Sequence, residues 1–330
     1  MRVLSGVQPS GKLHLGNYLG AIKQHIELQH EHQGLYFIAN YHSLTTVQDA
    51  ALMGELTRDV ALDYLALGLD PEKACLFRQS DVPEVCELAW ILSTVTGEGL
   101  MRRAHSYKDK VARGISPSMG LMSYPILMAA DILIYHSDVV PVGQDQVQHI
   151  EMTQDMAQYF NNAYGCEVLK RPEPRINEAC IVPGIDGQKM SKSYGNTIDL
   201  FDDPKATRKR IMSIKTDSTP VESPKNPFAC NVYAIVRLLA QPQEAEELEA
   251  AYRKGGMGYG QVKKRAGELF EETFGPARER RVRLAADPDR VEDILLAGAR
   301  QAREIARGVM EQVRQACGIV AGRATHVPCT

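Results

Sequence analysis

Long apolar runs are missing from this chain of 330 residues. The longest, residues 125–135, is broken by Asp131 and falls short of the roughly 20 apolar residues that a membrane-spanning helix needs, so no membrane association is expected. Residues 1–11 hold no apolar core of secretory length, which predicts no export. Seven cysteines, at positions 75, 86, 166, 180, 230, 317 and 329, form no C-x-x-C pair and have no His-rich cluster beside them. That pattern argues against a structural zinc or iron–sulfur site, and free thiols point to a reducing cytoplasm. Aromatic residues make up only 6% of the chain, with a single tryptophan, Trp90. Neither sign of charge dominates: 38 Lys and Arg face 41 Asp and Glu, for a net charge of −3, which argues against a general polyanion-coating protein. The imbalance is local, since residues 251–330 carry 15 basic against 10 acidic side chains. Such a region suits contact with a polyanion, although helical arginines usually lie on solvated faces. No internal repeat or low-complexity tract stands out, and 44% apolar with 24% charged residues is the profile of a globular chain long enough for about two domains.

Short runs rich in β-formers fall at 3–4, 35–39, 74–77 and 139–142, with helix-length segments between them. This βαβα alternation predicts an α/β fold with a doubly wound parallel sheet, whose ligands sit beyond the carboxyl ends of the strands. After about residue 199 the strand signals fade. Segments 204–212, 228–240, 243–252, 261–274 and 288–316 read as successive helices. Their breaks include 218–227, with three prolines, and 255–260, with four glycines, and residues 318–330 read as a loose end.

The first strand leads into Gly6-Val7-Gln8-Pro9-Ser10-Gly11-Lys12-Leu13. This matches G-x-x-x-x-G-K but has Leu where a P-loop places the magnesium-binding Ser or Thr, so a P-loop is disfavoured. A loop followed by a helix whose first turn carries His14, Gly16 and Asn17 can instead face polyphosphate with orphan amides and polar side chains. Far downstream, Lys189-Met190-Ser191-Lys192-Ser193 places two lysines around small flexible positions, which suits a mobile loop that follows developing phosphoryl charge. Between these motifs, residues 123–133 form an apolar helical stretch with Asp131 in its middle and Met128 three residues earlier. The carboxylate there is either satisfied elsewhere or accepts a hydrogen bond from a buried ligand donor. Residues 140–149 read as a strand ending at Gly143 and then polar groups opening a helix, again at a strand end.

The pairing of His14-Leu15-Gly16-Asn17 with Lys189-Met190-Ser191-Lys192-Ser193 resembles the class I aminoacyl-tRNA synthetases. Residues 6–11, Tyr124-Pro125 through Ala129-Ala130-Asp131, and Gly143-x-Asp145-Gln146-x-x-His149 resemble their bacterial tryptophanyl branch. The likeness extends to Gln79-Ser80-x-Val82-Pro83, Thr216-Asp217-Ser218 and Gly258-Tyr259-Gly260. The sister tyrosyl branch carries Q-A-Y-D where this chain has Met128-Ala129-Ala130-Asp131, so a phenol would lack its polar pair. A tyrosyl enzyme, or a paralogue that activates an amino acid for a non-tRNA acceptor, is the alternative.

The resemblance implies a Rossmann-like catalytic domain over 1–187 and a smaller all-helical anticodon-binding region, with the lysine loop, over 188–290. A C-terminal helix and tail over 291–330 would pack back on the catalytic domain. It further implies adenylation of L-tryptophan by ATP with Mg2+, transfer to tRNA(Trp), no structural metal, and a cytoplasmic homodimer. Lys189, Lys192 and Lys110 would stabilise the leaving pyrophosphate. Gln8, Ser10, His14, Gly16, Asn17, Gly143 and Asp145 would bind ATP together with Lys189, Met190, Ser191, Lys192 and Ser193. Tyr124, Met128, Asp131, Val140, Val142, Gln146 and His42 would bind tryptophan, with Asp131 accepting from the indole N–H. The helix around Trp90 fits either a dimer interface or core packing. Gln154 stands where relatives often carry a basic residue, which weakens any ion-pair role there.

Overall fold

The computed structural model describes residues 1–103, 118–176 and 182–319. Lys110 lies outside the described residues. Five strands, β1 (Arg2–Val7), β2 (Gln33–Ile38), β3 (Ala74–Arg78), β4 (Val139–Val142) and β5 (Glu173–Ile176), form one parallel sheet in the order β3-β2-β1-β4-β5. The chain therefore reverses its direction of winding between β1 and β4, the switch point at which α/β sheets bind ligands. β1 runs in full register with β2 but pairs with β4 only at Val3 and Val139. Beyond that pair the two strands part and leave a cleft toward their carboxyl ends.

Four strands fall where their apolar runs predict them. β5 does not, because Glu-Pro-Arg-Ile carries two charges and a proline and so gives no apolar strand signal, a composition that suits its place at the edge of the sheet.

Short helices α1 (Leu15–Asn17) and α2 (Lys23–Leu28) are joined through a π-helical turn, Tyr18–Ile22; α3 (Asn40–Ser43) follows β2 and α4 (Ala50–Leu67) precedes β3. Asp49 caps α4 by accepting from the Leu52 amide, and Gly68, at φ 112°, ends it in the left-handed conformation that glycine adopts without cost. Next come α5 (Glu84–Val95), α6 (Glu98–Arg103), α7 (Met119–Leu133) and α8 (Val147–Tyr164), then α9 (Pro204–Met212), α10 (Asn231–Leu239), α11 (Pro242–Lys254), α12 (Tyr259–Ala285) and α13 (Pro288–Cys317). On one face of the sheet α5, α7, α8 and α13 bury Leu88, Leu92, Ile132, Met156 and Met310 with Leu4 and Phe77. On the other, Leu15, Tyr36 and Tyr64 share a core with Tyr233, Phe270 and Phe274 of the later helices. Among the described residues no helix is long and apolar enough to cross a membrane.

Two helical expectations need correction. α12 continues eleven residues past the expected end at 274, through Pro276. Its second half is held from outside, because Arg281 reaches Asp59 and Asp63 of α4 at 2.6 and 2.5 Å while Arg280 Nε donates to the Ala66 carbonyl at 2.8 Å. Tertiary contacts thus offset the amide that proline removes. The reading of Trp90 as core fails, since Val85, Leu88 and Leu92 face inward and leave Trp90 71% exposed.

The C-terminal helix α13 lies against β3, and Gly298 makes that approach possible: a Cβ there would overlap the Leu76 backbone. The near-match to a P-loop ends in a different structure. Gly11 turns the chain at φ 107°, and Lys12 leaves the phosphate-facing position to pair with Asp202 at 2.7 Å.

Candidate active site

A cavity of about 500 Å3 opens where β1 and β4 part. Its walls come from strand ends (Leu4, Gly6, Phe37, Val140, Val142), from α7 (Tyr124, Met128, Asp131) and from Gly20 and Ala21 in the π-helical turn. A π-turn widens a helix locally, and such turns often mark functional sites. All seven residues assigned to tryptophan, including His42 and Gln146, line this cavity, and so do Gln8 and Gly143 of the nucleotide set.

Asp131 is 2% exposed in the last turn of α7, where the helix amides are already committed, so its donors come from other elements. His42 Nε2 donates to Oδ2 at 2.8 Å, and Gln79 Nε2 lies 2.9 Å from each oxygen. Burial raises the Asp131 pKa, while the bonds from His42 and Gln79 pull it back down. Tyr124 meets His149 Nε2 through its hydroxyl at 2.8 Å, and burial pushes its pKa up to about 12. Gln146 donates to Asp145 Oδ2 at 2.7 Å. Asp145 itself is exposed and lies outside the cavity lining, with its carboxylate folded over the bare Gly143.

The rest of the nucleotide set gathers around the loop after β1. His14 is the N-cap of α1: its Nδ1 accepts from the Asn17 amide at 3.3 Å, and Asn17 Oδ1 accepts from the His14 amide at 3.1 Å. Burial, assisted by the Lys192 charge, lowers the His14 pKa to about 4, so the ring is neutral at pH 7. Gly16 leaves room that the His14 ring and Met190 occupy, rather than an open approach for a base.

The lysine loop reaches this place by strand-like pairing: the Leu15 amide donates to the Ile198 carbonyl at 2.9 Å, and the Leu200 amide donates to the Leu13 carbonyl at 3.0 Å. Lys192 Nζ then donates to the Ser10 carbonyl at 3.2 Å. Crowding around this exposed ammonium lowers its pKa by desolvation. Lys189 makes no such contact among the described residues. It sits exposed on the 182–190 hairpin, and its ammonium forms no ion pair among the described residues. Ser191 and Ser193 meet through their hydroxyls at 2.9 Å.

Two residues with no assigned role prove central. Asn196, 1% exposed, accepts from the Ser191 amide at 2.8 Å and donates to Asp186 Oδ1 at 2.8 Å and to the Lys189 carbonyl at 3.2 Å. It shapes the whole lysine loop, and Gly184 must lack a Cβ to admit it. No periodicity marks such a residue. Gln79 stands at the carboxyl end of β3, where the strand-end rule could have singled it out. Gln154 donates to the Pro172 carbonyl at 2.7 Å, a tie to the segment before β5 in place of an ion pair.

A lysine held over the loop before a helix start, at the switch point of a parallel sheet, brings together the segments that resemble class I synthetases. The family described as "tRNA synthetases class I (W and Y)" matches residues 1–275, and the chain belongs to that family. Within it, the similarity is to tryptophan–tRNA ligases. The chain is 51% identical to the ligase of Rhodopirellula baltica over 97% of its own length and 100% of the relative's, and 52% identical to that of Fusobacterium nucleatum over 97% and 98%. The crystal structure of tryptophanyl-tRNA synthetase from Campylobacter jejuni complexed with ADP and tryptophan superposes with a TM-score of 0.91 at 49% identity, covering 96% of this chain and 100% of that one.

Proposed function

We propose that the chain activates L-tryptophan with ATP and transfers it to tRNA(Trp). The observation that carries this reading is the cavity itself: apolar walls from Met128, Val140 and Val142 surround one carboxylate, Asp131, beside a loop that holds Lys192. An indole needs flat apolar walls and one acceptor for its N–H, and a buried acceptor that an analogue without the N–H would leave short of a donor is a strong basis for selection. Tyr124 and Gln146 are the polar groups suited to the amino-acid amine.

In the first step the tryptophan carboxylate attacks the α-phosphorus of ATP and pyrophosphate leaves. The protein contributes position and charge rather than a covalent intermediate. Lys192 and Lys189 stabilise the leaving pyrophosphate, with magnesium carried on the triphosphate. Of the two, Lys192 is the one that touches Ser10. In the second step a hydroxyl of the terminal tRNA ribose attacks the adenylate carbonyl and AMP leaves.

The accompanying organisation is a catalytic region over 1–187, a lysine loop and helical anticodon-binding region over 188–290, and a C-terminal helix and tail over 291–330. It works as a cytoplasmic homodimer, for which the exposed Trp90 face of α5 is a natural contact. Bases of a single-stranded anticodon would be read by stacking and hydrogen bonding, with basic side chains on phosphate.

Amino-acid-dependent ATP–pyrophosphate exchange, run with tryptophan and tyrosine separately and followed by charging of a tRNA(Trp) transcript, tests this. Exchange with tryptophan and then charging is expected. Exchange without charging would place the chain among non-tRNA paralogues, and tyrosine-driven exchange would overturn the substrate.

A further inference from the structure

Asp131 stands two residues before the last residue of α7, where the negative end of the helix dipole disfavours a carboxylate. It is also buried, and burial raises its pKa. Its charge and its orientation therefore depend on donors from elsewhere, and two are present. His42, on α3, gives one bond to Oδ2. Gln79, which follows β3, gives a bond shared between both oxygens.

The direction of the Gln79 amide is fixed by its other end. Gln79 Oε1 accepts from the Tyr41 amide at 3.0 Å and from the His42 amide at 3.4 Å, two first-turn donors of α3 that have no other cap. Reversing the amide would set its NH2 group against those two N–H groups and its oxygen against the carboxylate, losing every bond. Gln79 is 1% exposed, so no solvent is at hand to compensate. One side chain thus ties the backbone that carries His42 to the carboxylate that His42 also holds.

The outcome for Asp131 is asymmetric. Oδ2 accepts from His42 and shares Gln79, whereas Oδ1 has only the shared bond. A carboxylate oxygen has two lone-pair sites, so Oδ1 is the oxygen with capacity for a further donor, and Asp131 lines the cavity. We propose that Gln79 is a positioning residue for tryptophan selection, turning the Asp131 carboxylate so that Oδ1 stays open to an indole N–H. This rests on the reading of the cavity as the tryptophan site.

The test uses the full-length protein and two substrates, tryptophan and β-(3-benzothienyl)alanine, in which sulfur replaces the indole N–H with little change of shape. Gln79→Glu keeps an acceptor for the Tyr41 and His42 amides but replaces the donor with a group that repels Asp131. Its KM for tryptophan in pyrophosphate exchange should rise about 10- to 100-fold, the loss of one hydrogen bond to a charged group. The KM for benzothienylalanine should change far less, and that for ATP should stay as in the wild type. Gln79→Met, which removes both functions, should show the same collapse of the preference for tryptophan and covers the case in which the first variant does not fold. Equal weakening of both substrates, or an unchanged preference, would overturn the positioning role. A wild-type protein with no preference for tryptophan, or an Asp131→Ala variant that keeps it, would instead overturn Asp131 as the indole acceptor.

Discussion

The ammonium of Lys192 lies 3.2 Å from the carbonyl oxygen of Ser10, 182 residues earlier in the chain. This contact ties the lysine loop to the loop that leads into His14, and it places a positive charge over the segment between β1 and α1. In the resting protein the charge rests on a backbone dipole; a phosphoryl group entering there offers it a stronger partner.

Lys192→Ala should lower tryptophan-dependent pyrophosphate exchange by about 10²- to 10³-fold, the usual effect of removing one group that stabilises developing charge. Tryptophan affinity, measured by calorimetry without ATP, should be nearly unchanged, because Lys192 does not line the cavity. A matching loss of tryptophan binding would contradict this division of roles.

Arg281→Ala leaves Asp63 buried beside Asp59 without its partner. Burial already pushes the Asp63 pKa up to about 6 against the pull of Arg281. Breaking such a pair by removing one partner costs about 3–5 kcal/mol, which urea unfolding would read as a lower midpoint. The double variant Asp63→Leu/Arg281→Leu should recover much of that loss.

Gly298→Ala should destabilise the protein by about 1–3 kcal/mol, as overpacking does, because its methyl group would overlap the Leu76 carbonyl. Thermal unfolding measures this directly. Gly308→Ala on the same helix, where added atoms meet open space, is the control and should be neutral or slightly stabilising.

His25 is fully buried between Tyr36 and Tyr64, with Nδ1 2.9 Å from the Tyr64 hydroxyl, and burial lowers its pKa to about 4. The unfolded chain takes up this proton near the ordinary value of 6.5 and the folded protein only near 4. Stability should therefore fall as pH drops through that window, by on the order of 3 kcal/mol from this group. His14 acts in the same sense and Asp63 in the opposite one, so the comparison that isolates His25 is with His25→Phe. The slope of unfolding free energy between pH 6.5 and 4 should be shallower in the variant; parallel slopes would refute the assignment.

The candidate site was legible in the sequence where its residues belong to local patterns. Polar groups at the carboxyl ends of β1 and β4, and an acid inside an apolar helix, mark Gln8, Gly143 and Asp131 without any structure, because strand order and helix periodicity are written in nearest neighbours. Gln79 and Asn196 were not assigned a role. Each works by pairing with groups on other elements or across a loop, and an amide side chain gives no sign in sequence of whether it will be buried.

What the sequence by itself determined is the alternation that builds a parallel sheet, the strand ends that form its cleft, and the motifs that place the chain among the class I synthetases. Those follow from short-range periodicity, turn residues and the spacing of a few polar groups. The tertiary structure alone decided that Lys192 and not Lys189 rests on the first loop, that Trp90 faces outward, that α12 runs on through Pro276, and that Asp131 is held from two sides. Each of these depends on which distant groups meet: a buried carboxylate takes whatever donors the fold brings within reach, and a helix continues past a proline when its far end is anchored elsewhere.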